Sequence, residues 1–562
     1  MTTDSSPKYE QDHNSASFHD EKEIEPVPQP VNTGAVTTEE YKSEHQKAVE
    51  QGTLKFRWAS LWEPAVINPI NGKSTTFNII RFWDPYALAF WLATLGFFSA
   101  FFSWFAFSPL VPEAVKADLK LTPLQIVNSN LASLGGTAIV RFVAGPCCDR
   151  FGPRKVMAFL LVAGAIPSAL VPTVKNIGGL ETIRFFISIL GGTFVPTQVW
   201  TTTFFDRRIV GTANAFAGGW GNLGGGVTPA VMIGTLERLR KAGLSAHLAW
   251  RICFLVVPVP MLLLIAALCM LLGKDCPQGP WSARHRTEGT AIEVARGEMP
   301  HLDASERRAM DAAQPSTTEK AISKGADFSD IPRSQDLYAL DTAVAEPVTL
   351  AVLGKVLTDP RVWLVALSYM TTFGLETAMD AALPGLILTL FQGPNFKVDD
   401  AAYVASTYGL LNLFARALGG ITSDLLYARY GLMSKVWLLI VTAVAQGVFM
   451  VGLGFYVNTG HASIGGVIGF MVALGITGFA ANGAAYSIYA HLRPRNIGVV
   501  AGLVGGFGNI GGIWYTLMFR QHPGAAATRT LGTKFYIAGF FNIGAVALPA
   551  AIVSMVGLGD AR

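Results

Sequence analysis

Charged residues are scarce in this sequence, because Asp, Glu, Lys and Arg make up only 15% of its 562 residues, whereas a soluble globular protein carries about 25%. Hydrophobic residues reach 51%, so much apolar surface must face lipid or a very large core. Cysteine is also rare, and 5 cysteines in a chain of this length do not make a disulfide framework. The net charge of +4 is too small to indicate a nucleic-acid partner. These absences exclude a soluble enzyme and a secreted scaffold.

Two polar segments hold much of the charge. Residues 1–57 mix acidic, basic and small polar side chains without an apolar period, which predicts disorder and leaves no apolar core for an export signal. Residues 274–347 are again rich in charge, Ser and Thr, which makes kinases candidate partners of this segment. We therefore expect a largely disordered tail over 1–83, a six-helix bundle over 84–273, a central loop over 274–359, a second bundle over 360–557 and a short tail over 558–562.

Twelve apolar stretches are each long enough to cross about 30 Å of hydrocarbon as a helix. They lie near 86–112, 122–145, 155–173, 177–204, 210–236, 250–273, 361–391, 402–427, 435–457, 463–490, 495–521 and 534–557. This pattern predicts an all-α membrane protein with 12 transmembrane helices. An even number of spans places both termini and the central loop on one side. Short loops do not decide which side, but the Lys and Arg residues that flank the long segments favour a cytoplasmic location of the termini.

The two halves of the chain repeat each other. Residues 211–226 read GTANAFAGGWGNLGGG and residues 498–513 read GVVAGLVGGFGNIGGI, at an offset of 287. RFVAGPCCD at 141–149 likewise matches RALGGITSD at 416–424, and in each segment an arginine precedes an aspartate by eight positions. Two related six-helix halves are the usual build of a transporter that rocks around a site between them.

These motifs resemble those of a known family. GPCCDRFGPRK at 145–155 resembles the loop between helices 2 and 3 of the major facilitator superfamily, and the two glycine–asparagine segments resemble the nitrate signatures of its nitrate/nitrite porter family. NPINGK, NSNLASL and ILGGTFVPTQVW, at 68–73, 128–134 and 189–200, add to a similarity with fungal high-affinity nitrate transporters that covers most of residues 60–557.

The resemblance implies a major facilitator fold with two pseudo-symmetric six-helix halves. It also implies a secondary active transporter, not an enzyme, that takes up nitrate by alternating access across the plasma membrane. Nitrite is a second candidate substrate, protons are the coupling ion, and the lipid bilayer is the surrounding partner.

Arg141 and Arg416 are the first candidates for the substrate site. Each arginine precedes, by eight residues, an aspartate near the end of its span, which corresponds to about 12 Å of helix. A charge at such depth in the membrane is costly unless it is paired or faces a wet cavity. A guanidinium is a planar fork of donors with a permanent charge, and it suits the planar nitrate ion that the family carries. The structural alternative is that each arginine bonds helix carbonyls or a carboxylate.

Asn222 and Asn509 lie at mid-span inside the glycine-rich segments. Their amides can donate to an oxygen anion, so we expect them to contact the substrate, with bonding between helices as the alternative. The surrounding glycines are assigned to close packing and sliding of helices. They are not a nucleotide loop, because no strand precedes them.

The seventh span holds Tyr369, Glu376 and Asp380 near one helical face. Buried carboxyls in a transporter are candidates for proton coupling, with Glu376 as the first choice and Asp380 as the second, and a structural hydrogen bond as the alternative. Tyr369 is a candidate for bonding the anion. Phe194 is a candidate for closing an apolar side of the site, with ordinary packing as the alternative.

A conformational lock is implied by the resemblance at the end of the second span, where Asp149, Arg150 and Arg154 lie. Asp424 is its copy in the other half, and Lys435 is placed in the loop that follows. Because this copy keeps fewer residues of the pattern, we expect a weaker lock there. No His, Cys and acid cluster has metal-ligand spacing, so no metal or cofactor is expected.

Two other functions stay open. One is a carrier for another small anion, which competition by nitrite, chlorate or carboxylates would reveal. The other is a nitrate sensor that binds without transport and signals through its central loop, although the loop has no pattern of a folded signalling domain.

Overall fold

The computed structural model describes residues 58–67, 72–285, 348–391, 393, 396, 398–520 and 527–556. Twelve long helical segments account for most of these ranges. They are α1 (Pro85–Leu110), α2 (Pro123–Phe151), α3 (Pro153–Thr173), α4 (Ile177–Phe204), α5 (Val210–Lys241), α6 (Ala246–Leu272), α7 (Pro360–Phe391), α8 (Val398–Leu410, Leu411–Leu413 and Ala415–Tyr430), α9 (Leu432–Asn458), α10 (Ile464–Leu492), α11 (Pro494–Phe519) and α12 (Ala527–Val556). Most of the expected N-terminal tail and central loop lies outside the described residues.

Ten of these segments, within the described ranges, are long and apolar enough to cross a membrane. The other two, α5 and α8, contain Asn222 and Arg416. α5 is rich in glycine, and α8 is interrupted by a short 3-10 turn at Leu411–Leu413. The interruption divides α8 into helical pieces of 13, 3 and 16 residues, each shorter than a full span. The prediction of an all-α, multi-pass membrane protein is confirmed.

Local sequence signals explain where the helices begin and turn. Asp84 caps α1 by accepting a hydrogen bond from the backbone N–H of Tyr86, and Thr122 starts α2 with a capping box closed by Gln125. The tight turn between α2 and α3 passes through Gly152, whose φ of 90° favours glycine. This turn brings the end of α2 directly against the start of α3.

The repeated segments meet where the two halves touch. α2 packs on α11, and α5 packs on α8. A Cβ atom on Gly145 would lie 2.4 Å from the carbonyl oxygen of Gly498, and one on Gly420 would lie 2.4 Å from that of Gly211. The glycines therefore allow backbone-to-backbone contact at both crossings, as expected for small residues between membrane helices. We call this end of the bundle, where α2 meets α3 and α11 begins, the terminal face, and the opposite end the distal face.

Candidate functional site

The two predicted arginines lie between the halves, and each one bonds to the opposite half. Arg141 and Arg416 are both fully buried. Nη1 of Arg141 donates to the carbonyl of Gly505 at 2.9 Å, and Nη1 of Arg416 donates to the carbonyl of Gly218 at 3.2 Å. Arg141 also donates from Nε to Gly191 at 2.8 Å, within its own half. The matched sequence positions thus form a crossed pair of contacts.

The two predicted asparagines share the acceptors of the arginines. Nδ2 of Asn222 donates to the carbonyl of Gly218 and Nδ2 of Asn509 to that of Gly505, both at 3.0 Å. Each carbonyl therefore receives one donor from its own helix and one guanidinium from the other half. This geometry explains why the asparagine recurs four residues after a glycine in both repeats. An amide has a second N–H, which leaves each asparagine able to donate once more.

The charges of the two arginines are balanced differently. Arg416 forms an ion pair with Glu376, with 2.5 Å between Nη2 and Oε2. Glu376 is buried and also accepts from Nδ2 of Asn412 at 2.9 Å and Nδ2 of Asn482 at 3.0 Å. Within the described residues no carboxylate lies in ion-pair distance of Arg141, and its Nη2 is buried without a hydrogen-bond partner. The positive charge that lacks a counter-ion is therefore on Arg141.

Aromatic rings enclose the Arg141 guanidinium. Its Cζ lies 4.7 Å from the ring centre of Phe194 and 5.1 Å from that of Phe373, so it is held between two π faces. Tyr369 stacks on Phe373 with 4.9 Å between ring centres, and its hydroxyl is 2.8 Å from that of Tyr486. Both aromatic candidates, Phe194 and Tyr369, thus lie at the site.

Asp380 differs from Glu376 in its access to solvent. It lies one turn further along α7 on the same helical face, yet it is exposed while Glu376 is 2% exposed. Asp380 is therefore the more accessible of the two carboxyls on this face of α7. The structure therefore places one carboxyl at the edge of the site and the other inside it.

Two aspartates join the halves at the terminal face. The carboxylate of Asp149 accepts from the backbone N–H groups of Gly498 and Val499, at 2.9 and 3.1 Å. The carboxylate of Asp424 accepts from the backbone N–H and the hydroxyl of Thr212, at 2.6 and 2.9 Å. Each aspartate thus caps the start of a helix in the other half, where the helix dipole favours a negative charge. The terminal face is closed in this structure.

In the second half the lock has an added contact that the sequence pattern did not indicate. Asp424 also forms an ion pair with Lys435, at 2.9 Å, and Lys435 is fully buried although the sequence suggested a loop position for it. In the first half Arg154 pairs with Asp275 at 3.3 Å. Arg150 is exposed and lies over the ring of Phe151. The basic residues after Asp149 therefore do not pair with it, because its carboxylate faces the start of α11.

Several site residues were missed by the sequence reasoning. These are Asn412, Asn482, Phe373, Tyr486 and Lys435. Asn412 had a usable signal, since it lies one turn before Arg416 on the same helix. Asn482 and Tyr486 are likewise four residues apart, on α10, but the same pair of residue types does not recur in the other half. Among the described residues, no group of His, Cys and acidic side chains could hold a metal ion.

Comparison with known proteins identifies the family of the chain. The sequence matches the profile of the Major Facilitator Superfamily over residues 93–516. It is 30% identical to the high affinity nitrate transporter 2.5 of Arabidopsis thaliana, over 86% of this chain and 82% of that protein. It is 31% identical to nitrate transporter 2.1 of Chlamydomonas reinhardtii, over 79% and 71%. It is 26% identical to the nitrate/nitrite transporter NrtP of Nostoc punctiforme, over 82% and 92%.

Among solved structures, the proton:xylose symporter XylE bound to 6-bromo-6-deoxy-D-glucose has a TM-score of 0.59 at 16% identity, covering 84% of this chain and 96% of that one. This likeness concerns the fold alone.

Two packed six-helix halves with a polar site buried between them define a membrane transporter of the major facilitator superfamily, not an enzyme. Within that superfamily the chain belongs to the nitrate/nitrite porter family. The resemblance read from the paired motifs is thereby confirmed.

Proposed function

We propose that this protein takes up nitrate, with nitrite as a second substrate, across the plasma membrane together with protons. The observation that carries this proposal is the buried Nη2 of Arg141, a charged donor without a partner. The terminal face is then the cytoplasmic face, and both termini are cytoplasmic. The closed contacts of Asp149 and Asp424 then describe a state that is shut toward the cytoplasm.

Nitrate binds first to Arg141 in this proposal. The free Nη2 donor supplies a charge-assisted hydrogen bond, which is stronger than a neutral one. Phe194 and Phe373 flank the guanidinium and supply apolar surfaces on which a planar ion can lie. The second N–H of Asn222 and that of Asn509 supply further donors, and the Tyr369 hydroxyl lies at the edge of the same space.

Glu376 couples this binding to a proton. While ionised, it holds Arg416 through their ion pair and two asparagine amides. A proton on Glu376 neutralises the carboxyl and frees a donor of Arg416, which then turns to the anion. Nitrate and the carboxylate thus compete for one guanidinium, so that full capture of nitrate requires the proton. Asp380, at the exposed edge of the site, receives protons from the distal side and passes them inward.

Electrical recording tests the symport directly. Nitrate applied outside cells that express the protein, at its distal face, is expected to produce an inward positive current. This current is expected because more than one proton enters with each nitrate. The current should grow as the external pH falls. A nitrate current or nitrate uptake that does not depend on external pH would contradict proton coupling and would indicate exchange or uniport. Competition by nitrite, chlorate and carboxylates would show whether another small anion is the preferred substrate.

Gly145→Ala is expected to block the cycle at the terminal face. The new Cβ would lie 2.4 Å from the carbonyl oxygen of Gly498 and 3.2 Å from the Cα of Val499, so α2 and α11 cannot close. Overpacking of this kind costs about 1–3 kcal/mol, so uptake should fall by about 5- to 150-fold. Gly135→Ala on the same helix is the control, since nothing lies within 4 Å of its Cβ. Equal uptake by both variants at equal surface expression would refute the role of this crossing.

A further inference from the structure

The residues that follow α6 fold back onto the terminal face. We call Gly273–Arg284 the strap. Its chain reverses at Cys276–Gly279, where the N–H of Gly279 donates to the carbonyl of Cys276 at 2.9 Å and that of Asp275 to the carbonyl of Gly279 at 3.1 Å. Gly279 has a φ of 107°, which favours glycine. The start of the central loop is thus a compact turn rather than a plain connection.

The strap is fastened to the turn between α2 and α3. Nε1 of Trp281 donates to the backbone carbonyl of Asp149 at 3.1 Å, and Trp281 is buried. Arg154 donates from Nη1 to the carbonyl of Gly273 at 3.1 Å and pairs with Asp275 at 3.3 Å. Burial raises the pKa of Asp275, and the charge of Arg154 partly offsets this rise. These contacts hold both sides of the α2–α3 turn.

The turn itself is shaped to accept the strap. At Gly152, a Cβ atom would lie 2.7 Å from Oδ1 of Asp275 and 3.1 Å from Cγ of Trp281. The glycine therefore provides both the left-handed backbone and the space into which the strap packs. Trp281 then satisfies a carbonyl of the last turn of α2, which has no partner inside its own helix.

The two halves position their locking aspartates by different means. In the second half, Lys435 bonds the carboxylate of Asp424 directly. The turn glycines Gly152 and Gly431, which precede α3 and α9, align at an offset of 279. Val156 therefore takes the place of Lys435 in the first half, and Asp149 has no such lysine. Its carboxylate must nevertheless point at the backbone amides of Gly498 and Val499. The strap contacts Asp149 at its backbone carbonyl, through Trp281.

We propose that Trp281 is a positioning residue of the lock at the terminal face. By fixing the carbonyl of Asp149 and the turn at Gly152, the strap keeps the Asp149 carboxylate aimed at the start of α11. The first residues of the central loop are therefore part of the lock, and release of the strap favours the state that is open at the terminal face. This role concerns conformation and does not depend on which substrate is carried.

Spin labels across the terminal face test this role. Trp83 and Tyr430 are 88% and 64% exposed and lie in opposite halves, so labels on Trp83→Cys and Tyr430→Cys report opening. Cys147 and Cys276 are replaced by Ser, since Cys147 is accessible and Cys276 packs on Trp281, whereas the other three cysteines are buried. Trp281→Ala is expected to raise the population at the longer distance more than about fivefold, because it removes the hydrogen bond, worth about fivefold alone, and also the buried ring.

Trp281→Phe keeps most of the ring and removes only the N–H donor, so it should give an intermediate shift in a fully folded protein. Trp62→Ala is the control, because Trp62 is 55% exposed and precedes α1. Distance distributions of both Trp281 variants that match the unsubstituted protein would overturn the proposal. An equal shift in Trp62→Ala would overturn it as well, since the effect would then not be specific to the strap.

Discussion

Arg141→Lys is expected to weaken nitrate binding by about 10- to 100-fold, the loss that follows when a hydrogen bond to a charged group is removed. Lysine keeps the positive charge but replaces the planar fork by a compact ammonium group. It cannot donate to Gly191 and Gly505 while also presenting a donor in the place of Nη2. Nitrate uptake at a range of concentrations should therefore show a higher KM, and direct binding to purified protein should show the same loss.

Arg184→Lys is a matched control for this variant. Arg184 is also a buried arginine inside a span, but it donates to the neutral side chains of Ser129 and Asn130, away from the site between the halves. A general penalty for replacing a buried guanidinium would lower surface expression in both variants. A KM for nitrate that rises equally in both, at equal expression, would contradict a special role of Arg141.

Glu376→Gln is expected to separate nitrate binding from proton coupling. Glutamine is neutral at every pH, as the protonated glutamate is, so Arg416 loses the carboxylate that holds it. Nitrate binding should become independent of pH and remain measurable, because nitrate then supplies the missing negative charge. Accumulation of nitrate against its gradient should disappear, while exchange of labelled for unlabelled nitrate continues. Uptake in vesicles, with and without a pH gradient, separates the two activities.

Asp380→Asn distinguishes the two carboxyls of α7. Because Asp380 is exposed at the edge of the site, this substitution is expected to slow uptake and to leave its dependence on pH in place. If Asp380→Asn abolished the pH dependence and Glu376→Gln preserved it, the proton would be carried by Asp380. Full accumulation by Glu376→Gln would refute the competition between nitrate and carboxylate for Arg416.

Much of the fold was predictable because membrane spans are read from local composition. Long apolar stretches gave the helices, and the repeat at 211–226 and 498–513 gave the two halves. Arg141, Arg416, Asn222 and Asn509 were found because the same residue types recur in both halves. The structure adds the physical reason, which is that each arginine and asparagine pair shares a glycine carbonyl.

Features without a counterpart in the other half were not predictable in the same way. The ion pair of Glu376 with Arg416 depends on α7 and α8 being neighbours, and the support from Asn482 comes from α10. The strap contact of Trp281 with Asp149 joins residues 132 positions apart. Such pairings arise from tertiary packing, for which neither apolar period nor spacing along the chain is a signal.

A structure of the protein with bound nitrate tests the central claim most directly. The proposal predicts a planar density between the halves, within hydrogen-bond distance of Nη2 of Arg141 and close to Phe194. It also predicts that, at acidic pH, Arg416 turns from Glu376 toward the same density. Nitrate bound elsewhere, with Arg141 still bonded only to Gly191 and Gly505, would contradict the proposed site.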